Sequence, residues 1–121
     1  MGKKILVVDD EANVIIMLKT MLETNNYSVV SATDGTKGLK KAIEEKPDLI
    51  LLDILMPNKD GLATLKELRI KESTKQIPVI MLTAKGESGY LMKAREVGVE
   101  DYIIKPYDVQ ELLELIKRHI R

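Results

Sequence analysis

The stretch Asp48-Leu49-Ile50-Leu51-Leu52-Asp53-Ile54-Leu55-Met56-Pro57 constrains the fold more than any other part of the chain. Four consecutive aliphatic residues lead into a carboxylate, and prolines at 47 and 57 bound the run. An apolar run this short reads as a strand buried on both faces. Such strands belong to parallel sheets covered by helices. A carboxylate at the C-terminal end of one stands where open α/β sheets place their sites. Asp53 is therefore the first candidate for the working residue.

Four more short runs resemble it. Ile5-Leu6-Val7-Val8 (β1) ends in Asp9-Asp10. Tyr27 to Ala32 (β2) alternates weakly and stops before Thr33-Asp34-Gly35, as an edge strand would. The opening strand, 48–53, is β3. Val79-Ile80-Met81-Leu82-Thr83 (β4) follows Pro78, and Tyr102-Ile103-Ile104-Lys105 (β5) precedes Pro106. Between them lie helical spacings. Apolar residues at 14, 15, 18, 21 and 22 give α1, closed by Asn25-Asn26. Leu39, Ala42 and Ile43 give α2, stopped before Pro47. Leu62, Leu65 and Leu68 give α3, to about Glu72, after a loop ended by Gly61. Residues 87–97 give α4, with Gly98 at its C-terminal cap. Asp108 caps α5, which carries Leu112, Leu113, Leu115 and Ile116. Five strands alternating with five helices imply a doubly wound parallel sheet with right-handed crossovers. The expectation is one domain over 1–121, with no linker or repeat.

Composition removes several function classes. Nineteen basic and nineteen acidic residues cancel, so no bulk charge favours nucleic acid or a membrane surface. Cysteine is absent, which excludes disulfides, thiol chemistry and Cys-based zinc sites. His119 is the only histidine, too little for a triad or a His-rich metal site. It reads as a solvated residue on a charged helix. No apolar run approaches the roughly 20 residues that span a bilayer. No signal-peptide pattern opens the chain, and the expected location is the cytoplasm.

In a parallel sheet the last residues of the strands share one edge. Asp9, Asp10, Asp53, Thr83 and Lys105 would therefore converge. Two carboxylates about 4 Å apart repel by roughly 4 kcal/mol at an effective dielectric near 20. Three need cations. Lys105 supplies one charge, and a hard divalent ion bound by oxygens supplies two, bringing the formal sum to zero. Mg²⁺ suits a site with few carboxylates and retained waters, and Mn²⁺ is the alternative. Such a cluster suits phosphoryl handling, with metal and lysine neutralising oxygens and a hydroxyl donating to one. Carboxylates form aspartyl-phosphates, so Asp53 is the candidate nucleophile.

Taken together, Asp9-Asp10, Asp53 with Met56-Pro57 and Gly61, Thr83-Ala84 and Lys105-Pro106 resemble the response-regulator receiver domain from end to end. The resemblance implies the flavodoxin-like strand order 2-1-3-4-5. It implies that Asp53 accepts a phosphoryl group from a histidine kinase or histidine phosphotransfer protein. It implies Mg²⁺ held by Asp10, Asp53 and the backbone carbonyl of Leu55, with Asp9 acting mainly through water. Lys105, preceding a cis peptide, would contact phosphoryl oxygens, and Thr83 with the Ala84 amide would close on them. Tyr102 matches the family's aromatic switch. Leu55 and Lys85 occupy positions that influence phosphoryl lifetime. The protein would be a switch rather than an enzyme, self-phosphorylating and self-dephosphorylating only. It would act through protein contacts or a phosphorylation-dependent dimer on the α4–β5–α5 face, with no direct nucleic-acid or membrane binding. Arg95, Glu96, Asp101, Glu114, Lys117 and Arg118 would place charges there. A receiver belonging to a longer regulator with an effector domain is the alternative.

Two expectations concern moving or docking parts. Gly86 and Gly89 weaken the start of α4, placing the mobile element in loop 83–88 and the first turn of that helix. Val14, Ile16 or Met17 with Pro106-Tyr107 form a small apolar patch suited to a kinase's helical hairpin. Two rivals fare worse. An aspartate-nucleophile phosphatase commonly needs a second carboxylate close behind the nucleophile, and Leu55 stands there. A flavin binder needs a phosphate-cradling loop after the first strand, where this chain has Asp9-Asp10-Glu11.

Overall fold

Leu49, Ile50, Leu51 and Leu52 have no exposed surface, as a strand covered on both faces requires. The computed structural model describes residues 2–54, 56, 60–84 and 88–120, with the backbone alone at Ala84 and Ser88. Its strands are β1 (Lys4–Val8), β2 (Ser28–Ala32), β3 (Leu49–Asp53), β4 (Val79–Ala84) and β5 (Asp101–Lys105). They form one parallel sheet in the order β2-β1-β3-β4-β5. The helices are α1 (Ala12–Thr24), α2 (Gly35–Glu45), α3 (Gly61–Ile70), α4 (Ser88–Val97) and α5 (Val109–His119). The fold is a doubly wound α/β sheet with the expected strand order.

Strand periodicity divides the core into two layers. Leu49 and Leu51, with Ile5, Val7, Ile80 and Leu82, pack against Ile15, Leu18 and Leu22 of α1 and Leu112, Leu113 and Ile116 of α5. Ile50 and Leu52, with Leu6, Val8, Val79 and Met81, pack against Ala42 of α2, Leu62, Leu65 and Leu68 of α3 and Ala94 of α4. The register aligns Val8 with Leu52, Asp53 with Leu82 and Ala84 with Lys105. The carboxylates and the lysine therefore leave the sheet along one edge.

Capping explains most helix boundaries. The Asp34, Asp60 and Asp108 carboxylates accept hydrogen bonds from the backbone N–H groups of Lys37 (2.8 Å), Ala63 (2.8 Å) and Gln110 (3.1 Å). The α2 helix ends at Lys46, whose φ of 48° is left-handed. At the end of α4, Gly98 has φ 122° and donates its N–H to the Ala94 carbonyl at 2.9 Å.

Four sequence expectations change. Gly61 opens α3 rather than ending a loop. Its N–H donates to the Ile54 carbonyl at 2.8 Å, and a Cβ there would lie 2.3 Å from the Asp53 carbonyl oxygen. Only glycine lets α3 start this close to the strand that carries Asp53. The α3 helix stops at Ile70, short of Glu72, and Thr74 then turns inward to donate to the Leu68 carbonyl at 2.7 Å. Ile43 is exposed, so the buried contact of α2 rests on Gly35, Gly38 and Ala42. His119 is not a free solvated side chain. Its Nε2 lies 3.0 Å from Asp101 Oδ2, tying the end of α5 to the start of β5. The expected mobile segment falls largely on residues 85–87, outside the described residues; α4 is helical from Ser88.

Candidate functional site

The C-terminal edge of the sheet gathers Asp9 and Asp10 after β1, Asp53 at the end of β3, Thr83 in β4 and Lys105 at the end of β5. Asp9, Asp10 and Asp53 each offer one carboxylate oxygen, all within 4.8 Å of one another. Asp9 has no exposed surface, Asp53 and Thr83 are buried, and Asp10 is exposed. Lys105 Nζ reaches over the cluster, 3.5 Å from Asp53 Oδ1 and 3.8 Å from Asp9 Oδ2. The Lys105–Pro106 peptide is cis.

Asp9 is the most constrained member. Its Oδ1 accepts the Glu11 N–H at 2.9 Å, which fixes the entry to α1. Glu11 occupies the cap position but contributes no side-chain bond there, so Asp9 does that work from two residues upstream. Its Oδ2 is buried and has no hydrogen-bond partner among the described residues. Burial pushes the Asp9 carboxyl above its ordinary value, opposed by the Glu11 N–H and Lys105 and reinforced by Asp10 and Glu11. Burial, then the charge of Asp9, likewise pushes the nearby Tyr107 phenol up, so it stays protonated at neutral pH.

An orphaned buried carboxylate oxygen facing a lysine, within a three-carboxylate group, fits a hard divalent cation. Three carboxylates and one ammonium leave a formal charge of −2, which such an ion cancels. A groove of about 500 Å³ lies elsewhere, along β5 and α5 between Tyr102, Ile104, Glu111 and Arg118, and contains none of the three aspartates.

The raised Asp9 carboxyl has a signed consequence for the metal-free protein. Between its ordinary value near 3.8 and its raised value, the folded chain holds more proton than the unfolded chain. Stability should therefore fall as pH rises through that window, and ionised Asp9 should oppose folding at neutral pH. Asp9→Asn keeps an oxygen for the Glu11 N–H and removes the charge. In chelator, its stability advantage over wild type by urea unfolding should be larger at pH 7 than at pH 3.5. An equal difference at both values would show that Asp9 ionisation costs nothing.

The sequence profile of the response regulator receiver domain matches residues 5–117. The chain belongs to the response-regulator receiver family. It is 43% identical over 121 residues to the alkaline phosphatase synthesis transcriptional regulatory protein PhoP of Bacillus subtilis, covering all of this chain and 50% of that protein. It is 40% identical over 121 residues to the phosphate regulon transcriptional regulatory protein PhoB of Escherichia coli, covering 53% of it. This receiver thus spans about half the length of those relatives. Among solved structures it resembles the chemotaxis protein CheY4 of Vibrio cholerae, with TM-score 0.92, 29% identity and coverage of 99% of this chain and all of that one. It also resembles the receiver domain of the sensor histidine kinase PA1611 of Pseudomonas aeruginosa, solved with a magnesium ion in its active-site cleft. That match has TM-score 0.90, 30% identity and 98% coverage of both chains.

In this receiver Asp9, Asp10, Asp53 and Lys105 are together, and Thr83 lies on the same sheet edge, paired in register with Ile104. Ala84 continues β4 opposite Lys105, and Leu55 lies outside the described residues. Tyr102 stands apart from the acidic group, half-buried in β5, with its ring under the Arg95 guanidinium at 4.8 Å. Sequence reasoning missed that stacking and the Asp101–His119 contact. Each joins a helix to β5, and neither has a motif that announces it.

Proposed function

We propose that Asp53 is the phosphoacceptor of this receiver, supplied by a histidine kinase or histidine phosphotransfer protein. The carrying observation is the convergence of Asp53 with Asp9 and Asp10 under Lys105 Nζ at 3.5 Å. Asp10, Asp53 and the Leu55 carbonyl would hold Mg²⁺, or Mn²⁺, with Asp9 acting mainly through water. When bound, the cation offsets carboxylate charge and polarises phosphoryl oxygens. Asp53 attacks phosphorus with one carboxylate oxygen; an O–P bond forms as the donor's P–N bond breaks, and the electron pair leaves with the imidazole. Lys105 neutralises phosphoryl oxygens, while Thr83 and the Ala84 amide donate to them. Phosphorylation adds about −1.5 to −2 charges and three strong acceptors, enough to bias loop 83–88 and Tyr102 provided that they have two arrangements. Incubation with Mg²⁺ and a small phosphodonor should add one phosphoryl mass to the intact protein. No gain with any donor or kinase would refute the reading.

Mg²⁺ at ten times its dissociation constant should stabilise the protein by about 1.4 kcal/mol. For a chain of 121 residues that is about 5 °C in melting temperature. Asp10→Asn should remove most of the shift. An equal shift in the variant would place the cation elsewhere.

The receiver would signal in the cytoplasm as a switch rather than an enzyme, a reading supported by the family. Its kinase would dock on α1 beside Pro106-Tyr107. Ile16 and Met17 are 61% and 53% exposed there, while Val14 and Tyr107 pack partly into the core. Ile16→Glu with Met17→Glu should slow transfer from the kinase at least tenfold, as an apolar anchor in an interface would, and leave small-donor phosphorylation unchanged. Unchanged kinase transfer would remove α1 from the interface. Output would use the α4–β5–α5 face, through a protein target or a phosphorylation-dependent dimer. The lengths of the relatives favour a regulator with an effector domain beyond this receiver.

A further inference from the structure

Arg95 is the one described cation seated over an aromatic ring. It lies in α4 immediately after Ala94, which has no exposed surface and brings the helix against the sheet. Its guanidinium carbon stands 4.8 Å from the centre of the Tyr102 ring. Among the described residues no carboxylate lies within ion-pair distance of Arg95, whereas Arg69 and Arg118 each reach one, Glu100 and Asp101. Tyr102 is half-buried against the layer that contains Met81 and Ala94. Its strand partner is Met81, two residues before Thr83 in β4. Tyr102 is also among the residues that line the groove along β5 and α5. One side chain of α4 therefore bears on a ring within the proposed output face, on the strand that ends at Lys105.

We propose that Arg95 is a latch for Tyr102: its planar guanidinium stacks on the ring and holds it in the position seen here, setting how readily the switch turns. Arg95 is a positioning residue and touches no reacting atom. The inference rests on the switch role of Tyr102 proposed above. An arginine suits the task because its flat, weakly hydrated head stacks on an aromatic face, which an ammonium does less well. If the ring turns, the stack is lost. The equilibrium between ring positions then carries the stacking energy directly. An exposed stack of this kind corresponds to roughly a two- to fivefold population ratio, about 0.5–1 kcal/mol converted at 1.4 kcal/mol per tenfold.

The decisive measurement is the side-chain rotamer population of Tyr102, from three-bond couplings between its backbone nuclei and ring Cγ. Wild type, Arg95→Ala and Arg95→Lys are compared with and without Mg²⁺ plus a small phosphodonor. In the unmodified protein, Arg95→Ala should lower the ratio of the present rotamer to the alternative two- to fivefold, with Arg95→Lys between it and wild type. The amide spectrum away from α4 and β5 should be unchanged. If phosphorylation moves the wild-type rotamer but neither variant differs from wild type, the latch is overturned and the switch stands. If phosphorylation leaves the wild-type rotamer unmoved, the switch role of Tyr102 fails, and the latch fails with it whatever the variants do.

Discussion

Asp53→Asn should take up no phosphoryl group from a small donor, a loss of more than about a thousandfold, and should also melt higher than wild type in chelator. The first effect is chemical. A carboxylate oxygen carries the charge and lone pair that attack phosphorus, and a neutral amide oxygen does so far more weakly. The second effect is electrostatic. Asp53 is buried among oxygens of Asp9 and Asp10 that lie within 4.8 Å. Its charge is countered by Lys105 at 3.5 Å, but that lysine is shared with Asp9. Removing one of three crowded charges relieves repulsion of roughly 4 kcal/mol per close pair at an effective dielectric near 20, less what Lys105 offsets. A net gain of about 1–2 kcal/mol, or roughly 4–8 °C, is expected. Intact mass reads the first effect and calorimetry the second. Phosphoryl uptake by Asp53→Asn at the wild-type rate would place the acceptor elsewhere. A lower melting temperature would mean that Asp53 anchors structure more than it strains it.

The same residues show why this site was readable from sequence and others were not. In a parallel sheet, strand ends share an edge by construction, so Asp9, Asp53, Thr83 and Lys105 converge once the strands are identified. The strands are identifiable because burial on both faces leaves unbroken aliphatic runs such as Leu49–Leu52. The strand order is different. Local pattern does not say that β1 pairs with both β2 and β3, and here the order followed from resemblance before the register of the sheet displayed it. Helix ends were less legible. Ile70 looks like a core residue by type yet is 77% exposed, because α3 stops there and the chain turns to bury Thr74 instead. Gly61 looked like loop punctuation. Its role, close approach to the Asp53 carbonyl, depends on a contact that sequence does not encode locally. His119 and Arg95 are of the same kind, since their partners Asp101 and Tyr102 become neighbours only after β5 is laid against both helices.

Arg69→Ala should destabilise the protein by about 3 kcal/mol, lowering the melting temperature by roughly 12 °C, although Arg69 lies nowhere near the acidic edge. Its side chain is only 15% exposed. Nε donates to the Gly98 carbonyl at 2.7 Å, one terminal nitrogen to the Ile77 carbonyl at 2.8 Å and the Lys75 carbonyl at 3.2 Å, and the other to Glu100 Oε1 at 2.8 Å. That same Glu100 oxygen accepts the Val79 N–H at 2.8 Å. One guanidinium thus joins the end of α3, the start of β4, the end of α4 and the start of β5. Burial pulls the Arg69 pKa down and Glu100 pushes it back up, but an arginine remains charged throughout. Truncation leaves the Gly98 and Ile77 carbonyls short of a donor, at about 1–3 kcal/mol for each buried orphan. The Lys75 carbonyl and the Glu100 carboxylate face water more freely and add little. Arg69→Lys keeps the charge but cannot reach four acceptors as a planar fork, so it should recover less than half of the loss. Hydrogen exchange should quicken most around residues 77–79 and 98–100, while small-donor phosphorylation of the folded fraction persists. A loss below about 1 kcal/mol would mean that water replaces the guanidinium at all of these carbonyls, and that the end of α4 is held by the buried contacts of Ala94 instead.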